Sequence, residues 1–148
     1  ERLSALNSEI TIRTYPIRLT EENAQEIISQ YDIVVDGCDN FSTRYLINDI
    51  CAEMGKVYVY GAICGFEGQV SVFHYGEEKK SYRDLYPDEE EMRRMPPPPK
   101  GVMGITPAVT GSIEATEVLK IICGFGEVLS GKLWTIDLRT LQSNKFSL

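Results

Sequence analysis

Apolar positions along this chain follow two different periods, and the switches between them mark its elements. Ile33, Val34 and Val35 form a short β-branched run of the kind buried on both faces of a sheet. After Gly37, Tyr45, Leu46, Ile47, Ile50, Cys51 and Met54 recur at near-helical spacing until Gly55, with Asn40 and Ser42 as N-cap residue types ahead of them. The unit is strand, turn, helix. Upstream, Glu9 to Arg18 alternates through Ile10, Ile12 and Ile17 and predicts a strand. A helix follows it, capped by Thr20 or Asn23, with Ala24, Ile27, Ile28 and Tyr31 apolar. Downstream, Val57 to Tyr60 and Gln69 to Tyr75 predict strands on either side of a glycine-rich bend, Gly61-Ala-Ile-Cys-Gly-Phe-Glu-Gly68. From Thr106 a further helix is expected, with Pro107 in its first turn and Ala108, Ile113, Ala115, Val118, Leu119 and Ile122 as its apolar face before Gly124. Lys132 to Leu138 and Thr140 to Leu148 read as a closing antiparallel pair. Helices alternating with β units predict an α/β fold, a Rossmann-like doubly wound and mainly parallel sheet with antiparallel C-terminal strands.

Two stretches break that rhythm. Residues 1 to 7 read as the last turns of a helix without an initiating Met, so the chain is expected to begin within an element. Residues 76 to 104 form a long acidic and proline-rich crossover loop, with an acidic cluster at Asp88 to Glu91, then Arg93 and Arg94, then Pro96 to Pro99. A four-proline run favours an extended polyproline conformation, which suits a strap, a lid or a docking element as well as a plain surface loop.

Composition narrows the function. At 148 residues and 43% hydrophobic, the chain is long enough for one domain with a core. A net charge of -7 and a pI near 4.8 argue against nonspecific nucleic-acid binding, and no basic stripe is present. No apolar run reaches the length of a membrane span, and no signal peptide pattern opens the chain. Cys38, Cys51, Cys64 and Cys123 make no C-x-x-C pair, so they read as buried free thiols of a reducing, cytoplasmic setting. Cys51 lies on a helical core stripe, whereas Cys38 and Cys64 lie near strand ends. His74 falls late in a strand and reads as an ordinary strand histidine.

The candidate chemistry sits where the first buried strand ends. Ligands of open α/β sheets bind beyond the carboxyl ends of the strands, and Asp39 there can hold a metal ion or a sugar hydroxyl. The helix that follows presents free N–H groups that favour a phosphate, which Asp39 repels unless Mg²⁺ lies between them. Turn and capping chemistry accounts for Asp36 and Asp39 equally well.

Three blocks settle the balance: Asp36-Gly-Cys-Asp-Asn-Phe-Ser-Thr-Arg44, Gly61-Ala-Ile-Cys-Gly-Phe-Glu-Gly-Gln69, and Gly101-Val-Met-Gly-Ile-Thr-Pro-Ala-Val-Thr-Gly-Ser-Ile-Glu-Ala-Thr-Glu-Val-Leu-Lys120. In this order, and over nearly the whole chain, they resemble the E1-like ThiF/MoeB/HesA family of adenylyltransferases. The resemblance implies binding of MgATP and adenylation of the C-terminal glycine of a ubiquitin-like sulfur-carrier protein, of the ThiS/MoaD kind, in thiamine or molybdopterin biosynthesis. It implies a homodimer, and it makes Asp39 the aspartate serving Mg²⁺ and the adenylation centre. Asn40 and Phe41 are expected to approach the phosphates through their backbone, and Arg44 to brace Asp39 or the helix start.

This chain departs from the family pattern in three respects. The family's glycine-rich phosphate loop, ribose-binding acid and ATP-neutralising basic residues lie upstream of Glu1. Residues 1 to 148 are therefore expected to be a partial domain, the C-terminal part of a larger enzyme, inactive alone. The C-x-x-C zinc pair of many members aligns with Ser81-Tyr-Arg-Asp84, so zinc is not expected. The cysteine used by some members for sulfur transfer falls just before Gly101, where this chain has prolines; Cys38 or Cys64 is the only thiol left near that chemistry. A noncatalytic carrier-binding or dimerisation module remains the alternative.

Overall fold

A computed structural model describes residues 2–96 and 101–148. In chain order the elements are α1 (Arg2–Leu6), α2 (Glu21–Ile28), β1 (Ile33–Val35), α3 (Phe41–Met54), β2 (Val57–Cys64), β3 (Glu67–Phe73), α4 (Tyr82–Leu85), α5 (Glu89–Arg94), α6 (Ile105–Cys123), β4 (Lys132–Asp137) and β5 (Gln142–Ser147). The strands form one five-stranded sheet in the order β1-β2-β3-β4-β5.

The α/β class and the antiparallel C-terminal pair are as expected, but the sheet is mixed rather than mainly parallel. Among the described residues only β1 and β2 run parallel, Ile33 opposite Val57; β2–β3, β3–β4 and β4–β5 are antiparallel. The cause lies in the glycine-rich stretch. It is not a bend between separate strands: β2 runs on through Gly61 to Cys64, Gly65 takes a left-handed φ of 58°, and β3 returns from Glu67. A two-residue connection permits only an antiparallel partner.

Glu9 to Arg18 is not a strand. Pro16 removes a ladder donor in its middle, and Ile10 and Ile17 stay exposed. The 76–104 segment is not a plain loop, because α4 and α5 lie within it, while residues 97–100 of the four-proline stretch lie outside the described residues. Asp88 caps α5, accepting from the Glu91 N–H at 2.9 Å, and three glutamates open the helix while two arginines close it, the arrangement its dipole favours. Ser81 and Asp84, at the positions of the family's metal cysteines, cap α4 instead.

Two apolar layers enclose the sheet. On one face Tyr58, Tyr60 and Phe73 pack with Ala24, Ile28, Tyr45, Ile50, Cys51 and Tyr82 from α2, α3 and α4. On the other face, Val59, Val70 and Val72 meet Ile113, Val118 and Ile121 of α6. The alternation Tyr58, Val59, Tyr60 sends successive side chains to opposite faces. Among the described residues, no helix is long and apolar enough to cross a membrane.

Candidate active site

β1 ends at Val35, but the ladder continues one residue further through the Asp36 N–H, which donates to the Val59 carbonyl at 2.9 Å. That bond places Asp36 at the floor of a cleft. Its carboxylate is buried and fully engaged: Oδ1 accepts from the Cys38 N–H at 2.7 Å, and Oδ2 accepts from Arg44 Nε at 2.8 Å and from the Tyr58 hydroxyl at 3.0 Å. The Cys38 bond is an Asx turn, so Asp36 is the turn residue that strand-end chemistry predicts.

Arg44, the fourth residue of α3, reaches back under this turn. It also donates through Nη2 to the carbonyls of Cys38 at 2.5 Å and Gly61 at 3.5 Å. Burial works against its charge, but Asp36 and the ring of Tyr60 outweigh burial and raise its pKa. Of the two expected roles, bracing Asp39 or bracing the helix start, Arg44 makes no contact with Asp39 and braces the turn that leads into α3, through Asp36 and Cys38.

Asp39 is exposed, and its one side-chain bond among the described residues comes from Asn40 Nδ2 at 3.2 Å. It does not cap α3. Asn40 does, accepting from the Thr43 N–H at 2.9 Å, which leaves the other N–H groups of the first turn, beginning with Phe41, free to meet an anion.

The cleft has a volume of about 880 Å³ and is walled by the Asp36–Arg44 segment, the β2–β3 hairpin, α6 and β4. Its charge is one-sided. Asp36, Asp39, Glu67, Glu114 and Asp137 line it, whereas Arg44 is the one cation among its described lining residues. Arg44 is committed to Asp36, and Glu67 and Asp137 pair with Arg139. Asp39 and Glu114 are thus the two carboxyls of the cleft with no cation in contact among the described residues.

Glu114 is a residue that pattern reading missed. It lies outside the apolar face expected for α6, yet α6 turns Thr106, Thr110, Glu114 and Glu117 inward, while Leu119 and Ile122 of that expected face stand outside. Of the expected apolar face, Ile113 and Val118 pack on the sheet. A signal was present in the chain: Gly61 and Gly68 are bare strand positions, and a Cβ on either would collide with the Glu114 carboxyl or the Thr110 hydroxyl respectively. Both Glu114 Oε1 and Thr110 Oγ1 are buried with no hydrogen-bond partner. Burial, then Asp36, push the Glu114 carboxyl up to about 7 against the pull of Arg44. Glu117, by contrast, pairs with Lys120 at 2.5 Å and accepts from the Leu129 N–H at 2.8 Å, tying α6 to the chain that follows.

The cysteines divide by burial. Desolvation and Asp36 push the Cys38 thiol up to about 12, so it stays protonated near neutrality, whereas Cys64, at the cleft rim, and Cys123 are exposed and not buried as expected. Cys51 is core. His74 stands just past β3 with a left-handed φ of 60°, its Nε2 held between the backbone and side-chain oxygens of Asn48 at 3.1 and 3.0 Å, a structural role.

A cleft beyond a parallel strand end, with a free carboxylate at a helix N-terminus, defines the class as an α/β protein with its candidate site at the carboxyl end of the sheet. The chain matches the ThiF family model over residues 1–148 and belongs to that family. It is 47% identical over 149 residues to a sulfur carrier protein adenylyltransferase of Thermus thermophilus, covering 93% of this chain and 52% of that protein. It is 43% identical over 150 residues to a probable molybdopterin-synthase adenylyltransferase of Pyropia yezoensis, covering 100% of this chain and 39% of the relative. The chain thus spans about half or less of the length of these relatives. Its fold is shared with E. coli MccB, in a structure with ATP, at a TM-score of 0.77 and 19% identity over 98% of this chain and 45% of that one.

Proposed function

We propose that this chain supplies the C-terminal share of an adenylyltransferase that uses ATP to activate the C-terminal glycine of a ubiquitin-like sulfur-carrier protein. Two relatives named as adenylyltransferases, at 47% and 43% identity, support the reaction class. The observation that carries the site is Asp39, an exposed carboxylate with no cationic partner at the start of α3, beside N–H groups suited to phosphate.

In the proposed reaction the carrier's carboxylate attacks the α-phosphorus of ATP, the bond to the bridging oxygen breaks, and pyrophosphate leaves. The chain's work is positioning and charge placement. Asn40 and Phe41 hold the helix start toward the phosphates. Arg44 fixes the turn that presents Asp39, acting as a positioning residue. Mg²⁺ fits Asp39: a hard cation that keeps several waters and takes one carboxylate beside phosphate oxygens suits an exposed carboxylate with no cationic partner among the described residues. When bound it would neutralise phosphate charge in a cleft otherwise rich in carboxylates. The remaining cations and the phosphate loop would come from sequence upstream of residue 1. The exposed thiols suit a cytoplasmic setting, and a second copy of the chain is the proposed oligomeric partner.

Carrier-dependent exchange of pyrophosphate into ATP by the parent enzyme is the test. Asp39→Ala should lower exchange by about a thousandfold, on the scale of losing one transition-state charge contact. Wild-type exchange in that variant contradicts the assignment. A noncatalytic binding module is the second reading, favoured by the exposed Leu119, Ile122 and Phe125 at the end of α6. Carrier capture without any ATP turnover by the parent would support it.

A further inference from the structure

The two orphaned polar atoms of the cleft lie one helical turn apart on the same side of α6. Thr110 is 2% exposed and Glu114 7%, and Oγ1 of one and Oε1 of the other find no partner. Buried polar atoms without a partner cost stability, so this pair gains from any ligand in the cleft that supplies a donor. Both press onto strand residues that lack side chains, Gly61 on β2 and Gly68 on β3, and fill the space that side chains there would take. Gln69 and Thr135 line the same cleft, as does Asp39. Such polar groups suit an extended peptide backbone, which brings its own donors and acceptors and needs no side-chain pocket.

Resting on the adenylation reading, we propose that Glu114 is a positioning residue for the carrier's tail, its carboxyl accepting the N–H of the carrier's last peptide bond, with Thr110 as the neighbouring contact. A chain whose terminal carboxylate is to reach the nucleotide beside Asp39 carries that N–H only three bonds behind the carboxylate oxygens, so the two unpaired carboxyls of the cleft are assigned to its last residue, Asp39 on the nucleotide side and Glu114 behind it. The raised pKa of Glu114 supports this role. Either protonation state keeps an acceptor oxygen, and the neutral form does not repel the arriving carboxylate.

The test uses the parent enzyme, ATP, and two carriers: the natural tail, and a semisynthetic tail whose terminal residue is N-methylated and so lacks that N–H. Glu114→Leu should raise KM for the natural carrier about tenfold, the scale of one lost buried hydrogen bond, with KM for ATP unchanged. Glu114→Gln, which keeps the acceptor oxygen, should bring the carrier KM most of the way back. The N-methylated carrier should suffer a similar rise with wild type and little further rise with Glu114→Leu. Equal penalties for the methylated tail in both enzymes, or a Leu variant that loses thermal stability and shifts both KM values together, overturn the assignment and leave Glu114 a packing residue. A wild-type parent without exchange would instead overturn the adenylation reading, and this inference with it.

Discussion

Arg44 is the residue on which the geometry of the turn depends. It is held by Asp36 within a pocket that exposes 8% of the arginine and 5% of the aspartate. Removing one partner of such a pair strands the other as an uncompensated buried charge, so Arg44→Met should cost about 3–5 kcal/mol in urea unfolding. A loss under about 1 kcal/mol would mean that the pair is solvated in solution. Glu114 gives the opposite signature in its pH dependence. Its folded pKa is about 7 against an ordinary 4.5, so across that window the folded state keeps a proton that the unfolded chain has released. Stability therefore falls as pH rises through it and levels off above it, by about 3 kcal/mol at 1.4 kcal/mol per unit. Asp36 and Arg44 are the charged groups facing this carboxyl. The unfolding free energy of Glu114→Gln should move in the variant's favour from about pH 4 to about pH 8, and a constant difference would contradict the assignment. Among the thiols, Cys64 and Cys123 should react rapidly with a thiol reagent in the native protein, whereas Cys38 and Cys51 should wait for unfolding; fast labelling of Cys38 would reopen it as a nucleophile.

The contact between α6 and the sheet shows how elements make this cleft. Thr110 is short and β-branched, so it has little room to leave Gly68, and Gly68→Ala should destabilise the protein by about 1–3 kcal/mol. Thr110→Ala in that background should recover a good part of the loss, a coupling read from a double-mutant cycle of unfolding free energies. Additive losses would show that the two do not meet. The same contact marks the boundary of what was legible in the chain. β1, the Asn40 cap, the α3 stripe and the β4–β5 pair follow local rules of period and capping, and they are present where those rules put them. The inward face of α6 was not legible, because Thr106, Thr110, Glu114 and Glu117 break the rule that apolar residues face the core, and only the glycines opposite reveal it. The β2–β3 hairpin was read as a bend, since Gly61 and Gly68 look like breakers until their α6 partners are known. Glu9 to Arg18 alternates like a strand but finds no partner among the described residues. Asp39 was visible as a carboxylate at a strand end, but Arg44's true partner, Asp36, emerges only from the fold of the turn.

At the scale of the whole molecule, charge decides what the chain can do alone. The cleft presents unpaired carboxyls at Asp39 and Glu114 while its lining guanidinium is committed to Asp36, so a nucleotide triphosphate meets net repulsion there. This chain by itself should therefore show no carrier-dependent exchange of pyrophosphate, and the parent enzyme should restore it; exchange by the chain alone would show that its own residues suffice for ATP. Acyl adenylation at this cleft gives a product of defined mass. Incubating the parent enzyme with MgATP and a glycine-ended carrier, and reading the intact mass of the carrier, is the decisive measurement. The expected result is a carrier heavier by one adenylyl group, formed with the wild-type enzyme and lost with Asp39→Ala. A carrier that keeps its original mass with wild type, or gains AMP equally with the Asp39 variant, would contradict it.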